Sequence, residues 1–246
     1  MKKLNLLAVL FLLLSVSAWA QESSEDTGAP VNRNGRADIP GSLYFDLGFS
    51  LLQGRPADME TSFFGSKVVN VYYQRDLNLG KNSGFTFAPG IGLGLERYAF
   101  DGQQTLIFDR TEGTSSLGEL SDIYGAGLSV NKSKLIANYV DIPVEFKYHT
   151  NKNDYSRGFR VALGAKFGVL YHSHTKSKFE QDGESRTVKD RQGYALNSFR
   201  YGAYARLGFN GFNFWSYYGL SEVFESGKGP SQTEANTLSF GVSIAW

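Results

Sequence analysis

Across Phe199–Trp215, read Phe-Arg-Tyr-Gly-Ala-Tyr-Ala-Arg-Leu-Gly-Phe-Asn-Gly-Phe-Asn-Phe-Trp, every second residue up to Phe209 is apolar, and the alternation resumes after Asn210-Gly211. Alternation of this kind marks a strand with one apolar face and one polar or small face. Asn-Gly between two such strands signals a two-residue type I′ hairpin. Pairing across that turn sets Phe209 against Phe212 and Leu207 against Phe214 on the apolar face. On the other face it sets Arg206 against Trp215 and Tyr204 against Tyr217. The parities of the two strands, assigned separately, agree. A contact between the Arg206 cation and the Trp215 ring is therefore expected.

The same period of two recurs on both sides of this hairpin. Leu43, Phe45, Leu47, Phe49 and Leu51 alternate with smaller or polar residues. So do Phe85, Phe87, Pro89, Ile91, Leu93 and Leu95, and Phe159 through Tyr171. Leu238, Phe240, Val242, Ile244 and Trp246 close the chain in the same way. Weaker alternation covers Val69–Gln74 and Val140–Tyr148, and Phe212–Ser221 is aromatic on both faces. Eight strands result, joined by connections that are alternately long and short. Short turns at one end and long loops at the other are the build of an outer-membrane barrel. A closed barrel also leaves no unpaired backbone edge in hydrocarbon. The fold expected is all-β: an eight-stranded antiparallel transmembrane β-barrel with short periplasmic turns and long extracellular loops. Thr105-Leu106-Ile107-Phe108, inside the longest connection, leaves open a further hairpin or a count of ten strands.

Composition agrees. Of 246 residues 15% are aromatic, 28 are Gly, 2 are Met and none is Cys. Zero Cys excludes disulfide scaffolds, thiolate metal sites and cysteine nucleophiles. With 25 basic and 24 acidic residues there is no electrostatic footprint for nucleic acid. Lys2 and Lys3, the apolar run Leu4–Val16 and Ala18-Trp19-Ala20 read as a cleaved signal peptide over residues 1–20. Residues 21–40 read as a flexible periplasmic leader, and 41–246 as the barrel, placed in the cell outer membrane. No second apolar run reaches the roughly 20 residues of a spanning helix.

Parity assigns an inward set of charges: Asp46, Glu96, Asp141, Glu145, Lys147, Arg160, Lys166, Arg200 and Arg206, with Trp215 against Arg206. Charges in a narrow lumen must pair or be hydrated, because isolated burial is expensive. An unbulged turn would set Glu145 opposite Arg160. The bland reading is a paired network filling a closed barrel; the functional one is a gated ion path or small-ligand site. Tyr73, Tyr148, Phe159, Phe209, Phe212 and Trp246 are expected in one interfacial aromatic belt, and Tyr98, Phe100, Tyr171 and Phe199 in the other.

Other motifs carry less. Gly90-Ile91-Gly92-Leu93-Gly94 lacks the glycine spacing and the following helix of a phosphate loop. His172-x-His174 has no evident third metal ligand. Asn131-Lys132-Ser133 matches a glycosylation sequon, without meaning for a bacterial export pattern.

Tyr139-Val140-Asp141-Ile142-Pro143-Val144-Glu145-Phe146-Lys147-Tyr148 resembles the central strand of the outer-membrane β-barrel domain family that includes PorT-type proteins. Phe240–Trp246 is similar to an aromatic-ended last strand read by the barrel assembly machinery. The resemblance covers residues 41 to 246. It implies the barrel fold, and its best-known branch implies a part in type nine secretion, although no residue here marks that branch.

Three functions compete. The first is a non-enzymatic barrel with a largely closed, charge-paired lumen. It would act through its loops, chiefly Asp101–Lys134 and Ser173–Gly193, or as an accessory of a secretion or envelope assembly. Its partners would be outer-membrane lipid, the assembly machinery through the strand ending in Trp246, and secretion or surface proteins. No cofactor and no metal is expected. The second is a narrow pore for ions or small solutes. The third is a lipid- or peptide-hydrolysing enzyme, for which His172, Ser173 and His174 offer the only chemistry, and alternation points Ser173 away from the two histidines.

Overall fold

The computed structural model describes residues 41–155 and 157–245. The proposed signal peptide, the leader and Trp246 lie outside the described residues. Eight strands form one closed antiparallel sheet: β1 (Ser42–Gln53), β2 (Lys67–Gln74), β4 (Phe85–Phe100), β7 (Ser129–His149), β8 (Phe159–Gln181), β10 (Phe199–Phe209), β11 (Phe212–Glu222) and β12 (Asn236–Ala245). They pair in that order, β12 pairs back onto β1, and β8 pairs directly with β10. The expected barrel is present, with eight strands and not ten.

Lipid-facing and lumen-facing side chains separate by parity, as a pleated strand requires. Leu47, Phe85, Ile91, Phe146, Leu163 and Phe214 are exposed on the outer wall, whereas Asp46, Thr86, Glu145 and Asn213 are buried inside. Across the β10–β11 hairpin the register is the expected one: Phe209 faces Phe212, Arg206 faces Trp215 and Tyr204 faces Tyr217. Asn210 (φ 46°) and Gly211 (φ 83°) both adopt the left-handed conformation that the I′ turn demands.

At the end bearing the long connections the chain is far from loop-like. β7 has 21 residues and β8 has 23, well beyond what a bilayer needs, and β9 (Glu184–Asp190) pairs with the top of β8. The longest connection folds into its own hairpin, β5 (Gln104–Asp109) with β6 (Thr114–Glu119), followed by one helical turn, α1 (Leu120–Tyr124). In the short connections, Leu77–Asn78 forms a two-residue strand, β3, against β4.

One irregularity changes which way a whole segment faces. Asn138 pairs with His172, but its neighbour Tyr139 pairs with Leu170, so Tyr171 is an extra residue bulged out of β8. Above it the parity of β8 reverses. Ser173, Thr175, Ser177 and Phe179 point inward, while His172, His174, Lys176 and Lys178 continue the outer wall.

Candidate functional site

The lumen holds a stack of polar side chains carried by all eight strands. Toward the short-turn end, Lys147 on β7 donates to Tyr44 (3.0 Å), Gln74 (2.9 Å) and Asp76 (2.8 Å). The Gln74 amide in turn donates to Glu145 at 2.8 Å. Next comes a knot around Asp46, which accepts from Arg206 (3.0 Å) and Tyr204 (2.7 Å). Arg206 also donates to Ser243 at 2.6 Å, approaches Glu145 at 3.6 Å and lies over the Tyr44 ring at 4.3 Å.

Toward the long-loop end, Arg200 makes a fork onto Asp141, with contacts of 2.7–3.1 Å, and reaches Glu96 with its other nitrogen. Tyr72 donates to Asp141 at 2.8 Å, and Tyr139 stacks beneath the guanidinium at 3.7 Å. Lys166 stands over the Tyr217 ring at 3.8 Å, with Asp141 at 4.0 Å. Fork-shaped arginine pairs of this kind fix orientation as well as charge. The room for them comes from the lumen-facing glycines: a Cβ on Gly94 or Gly168 would collide with Arg200 and Asp141.

Nine of the ten residues singled out in the sequence lie buried in this stack; Arg160 is half-buried near the short-turn mouth. Two expected pairings are not made. Glu145 is opposite Gly164, and Arg160 is opposite His149, because the connection at residues 150–158 shifts the register from the unbulged one. Arg160 donates instead to Asn213, at 2.8 and 3.2 Å. Nor does Arg206 meet the Trp215 ring. It stacks on Tyr44 and Tyr204, Trp215 lies parallel to Tyr204 at 6.0 Å, and its indole N–H donates to the Val242 carbonyl. The cross-strand pair is correct, but the guanidinium is drawn across the lumen to Asp46.

Above the polar stack lies an element that the sequence reading missed. Tyr98, Leu135, Ala137, Tyr139 and Leu52 project inward from the strands. Met59, Leu106, Tyr194, Leu196, Val223 and Phe224, all from the long connections or the hairpin within one, pack onto them. These form one buried apolar cluster across the outer mouth. Tyr98 and Phe100 belong to it and not to the outer aromatic belt: Tyr98 shares the inward parity of Glu96, to which its hydroxyl donates. Tyr171 and Phe199 do face outward. Burial pushes the Tyr194 hydroxyl above its usual range, and it bonds Thr175 and the Asp190 carbonyl. The available signal was a set of large apolar residues in segments otherwise rich in turn formers.

On the outer wall His172 and His174 have their rings 5.0 Å apart. Among the described residues no group of three metal-ligating side chains occurs. Ser173 points inward and donates to the Gln192 carbonyl at 2.7 Å, so serine and histidines are not assembled into a nucleophile and its base.

No curated protein matches this sequence. The crystal structure of Ail, the attachment invasion locus protein of Yersinia pestis, is similar at 13% identity with a TM-score of 0.40, over 85% of this chain and 100% of that one. Ail in complex with the heparin analogue sucrose octasulfate is similar at 14% identity and a TM-score of 0.36, with the same coverage. At those values the likeness carries no functional argument. The family model described as outer membrane protein beta-barrel domain matches residues 20–225, and with the closed eight-stranded sheet now described, the chain belongs to that family.

Proposed function

We propose that this protein is a non-conducting, non-enzymatic outer-membrane barrel that acts through the folded structure above its outer mouth. In that role it would meet surface proteins or serve as an accessory of a secretion or envelope assembly. The observation that carries the reading is the double closure of the lumen. Paired charges cross it from wall to wall, and the apolar cluster around Tyr98, Leu106, Tyr194 and Phe224 lies over them. An ion crossing such a lumen must break charge-assisted bonds and then pass an apolar layer, and each step is costly without water. The two upper hairpins, β5–β6 and the tip of β8–β9, give the molecule a paired, folded surface above the barrel in place of open loops, which favours recognition over permeation. Placement of Ser173 away from the histidines supports the non-enzymatic reading.

The test is planar-bilayer recording of the refolded chain, with folding verified by a heat-dependent gel shift. A silent bilayer is expected. Discrete current steps that change when Arg206 or Glu145 is neutralised would make the protein a pore.

A further inference from the structure

The strands that build the lumen network also carry a second population of charge, on the outside of the barrel. Above the Tyr171 bulge, Lys132 pairs directly with Lys178, Lys134 with Lys176, and Lys176 with Lys189. Arg97 on β4 is opposite Ile136, which in turn faces His174. Together these side chains line an open groove of about 490 Å³ on the outer wall, with Ile136, only 7% exposed, on its floor. None of the groove's lining residues is acidic. Among the described residues, none of Arg97, Lys132, Lys134, Lys176, Lys178 and Lys189 forms an ion pair with a carboxylate.

Like charges directly opposite in a sheet are destabilising. Three such pairs on one wall are therefore not explained by folding. At Lys134 burial first, and then the neighbouring cations Lys132, Arg97, Lys67 and Lys176, hold the ammonium below the ordinary lysine range.

Position identifies the counter-charge. These residues continue the face that carries Leu93, Leu95, Val140 and Val169 in the lipid-facing band. From Phe85 at the short-turn end to Leu95 the strand rises roughly 25 Å along the membrane normal, taking ~3.3 Å per residue and a tilt of about 40°. That is the height of an outer-membrane apolar band. Arg97, Lys134 and Lys176 thus begin where hydrocarbon ends, and point sideways into the headgroup layer. Lys67 on β2, facing Arg97 on one side and Phe49 on the other, ends the run of cations. Beyond it the long-loop end of β1 and β12 carries rings, with Phe49, Phe63, Phe64 and Phe240 clustered at centroid distances of 4.9–6.2 Å.

We infer that this groove is a binding site for the phosphate groups of a phosphorylated glycolipid in the surrounding outer leaflet, with Lys132, Lys134, Lys176 and Lys189 as its main ligands. The bulge at Tyr171 creates the site, since without it Lys176 and Lys178 would face inward. The lysines line the groove around the nearly buried Ile136, and the Lys134 ammonium, held by the Gly65 carbonyl at 3.2 Å, keeps two further N–H donors for a phosphate.

Native mass spectrometry of the refolded full chain tests this in detergent, with diphosphoryl lipid A as probe, so membrane orientation does not enter. The wild-type protein is expected to retain diphosphoryl lipid A and to hold dephosphorylated lipid A at least about tenfold more weakly. A variant with Lys132, Lys134, Lys176 and Lys189 all changed to Gln loses a similar factor, whereas the same four changed to Arg keep the lipid. The heat-dependent gel shift certifies that both variants are folded. Equal retention by the glutamine variant, or equal binding of the dephosphorylated lipid, would overturn the proposal. So would displacement of the lipid by millimolar inorganic phosphate, which would leave a simple anion site, or tighter binding of soluble dextran sulfate, which would make the wall a polysaccharide surface.

Discussion

The inside and the outside of this barrel treat charge in opposite ways, on the same strands and only a few residues apart. On β7, Asp141, Glu145 and Lys147 face inward, and each lies within an ion-pairing or hydrogen-bonding network with groups from other strands. Lys132 and Lys134, further up the same strand and on its other face, are set against Lys178 and Lys176 on β8. Among the described residues neither pairs with a carboxylate, and Lys134 has only the Gly65 carbonyl as acceptor, at 3.2 Å. Inward charges are matched because a lumen without bulk water leaves them no other source of compensation. Outward charges at the level of headgroups need no match in the protein, because the leaflet can supply it. On the proposed reading, pairing within the chain separates charge that would hold the barrel shut from charge that would address its surroundings.

The widest gap between the two populations should appear on removing one member from each. Arg200→Ala leaves Asp141 and Glu96 buried without the cation that bridges them, with only Lys166 at 4.0 Å from Asp141, a loss of about 3–5 kcal/mol in barrel stability by urea unfolding in vesicles. Gly168→Ala strikes the same pair through space alone. A methyl group there must push Arg200 or Asp141 aside, for ~1–3 kcal/mol. On the wall the sign reverses. Lys134→Gln with Lys176→Gln relieves a like-charge pair and should leave stability in phosphatidylcholine vesicles unchanged or raised by ~0.2–1 kcal/mol. A loss comparable to that of Arg200→Ala would erase the distinction.

The smallest effect is a pH dependence. Burial, then His172, Lys189, Arg191 and Lys176, holds the His174 ring below the usual 6.5. The unfolded chain then takes up this proton at higher pH than the folded one. Stability from this source is complete above about 6.5 and declines as pH falls through the window below it. His174→Gln should flatten that part of the stability–pH curve, as measured by urea midpoints between pH 7.5 and 5.

How much of this was legible depended on periodicity. A side-chain period of two with lipid on one face leaves an unbroken record, so the strands, their parity and the inward set from Asp46 to Arg206 could be read residue by residue. Asn210-Gly211 fixed one register because a two-residue turn allows no slack. The connection at 150–158 allows several registers, and the expected Glu145–Arg160 pairing failed there. Tyr171 shows the other limit: a single bulged residue reversed the faces of everything above it, and nothing in the local sequence announces it. The apolar cap was illegible because Met59, Leu106, Tyr194 and Phe224 come from separate connections with no shared period. Their contacts are wholly long-range.

Closure of the lumen is the central claim, and the absence of cysteine from the chain gives it a direct test. Ser239 lies fully buried inside the barrel, hydrogen-bonded to Ser50 at 2.7 Å, and Ser185 is exposed at the outer tip of β9. Ser239→Cys and Ser185→Cys, each refolded in vesicles, would be exposed to a small charged methanethiosulfonate reagent on both sides of the membrane. The account predicts rapid labelling at 185 and no labelling at 239 until the barrel is unfolded. Labelling of the folded protein at 239 would mean that an aqueous path runs through the lumen, and would contradict it.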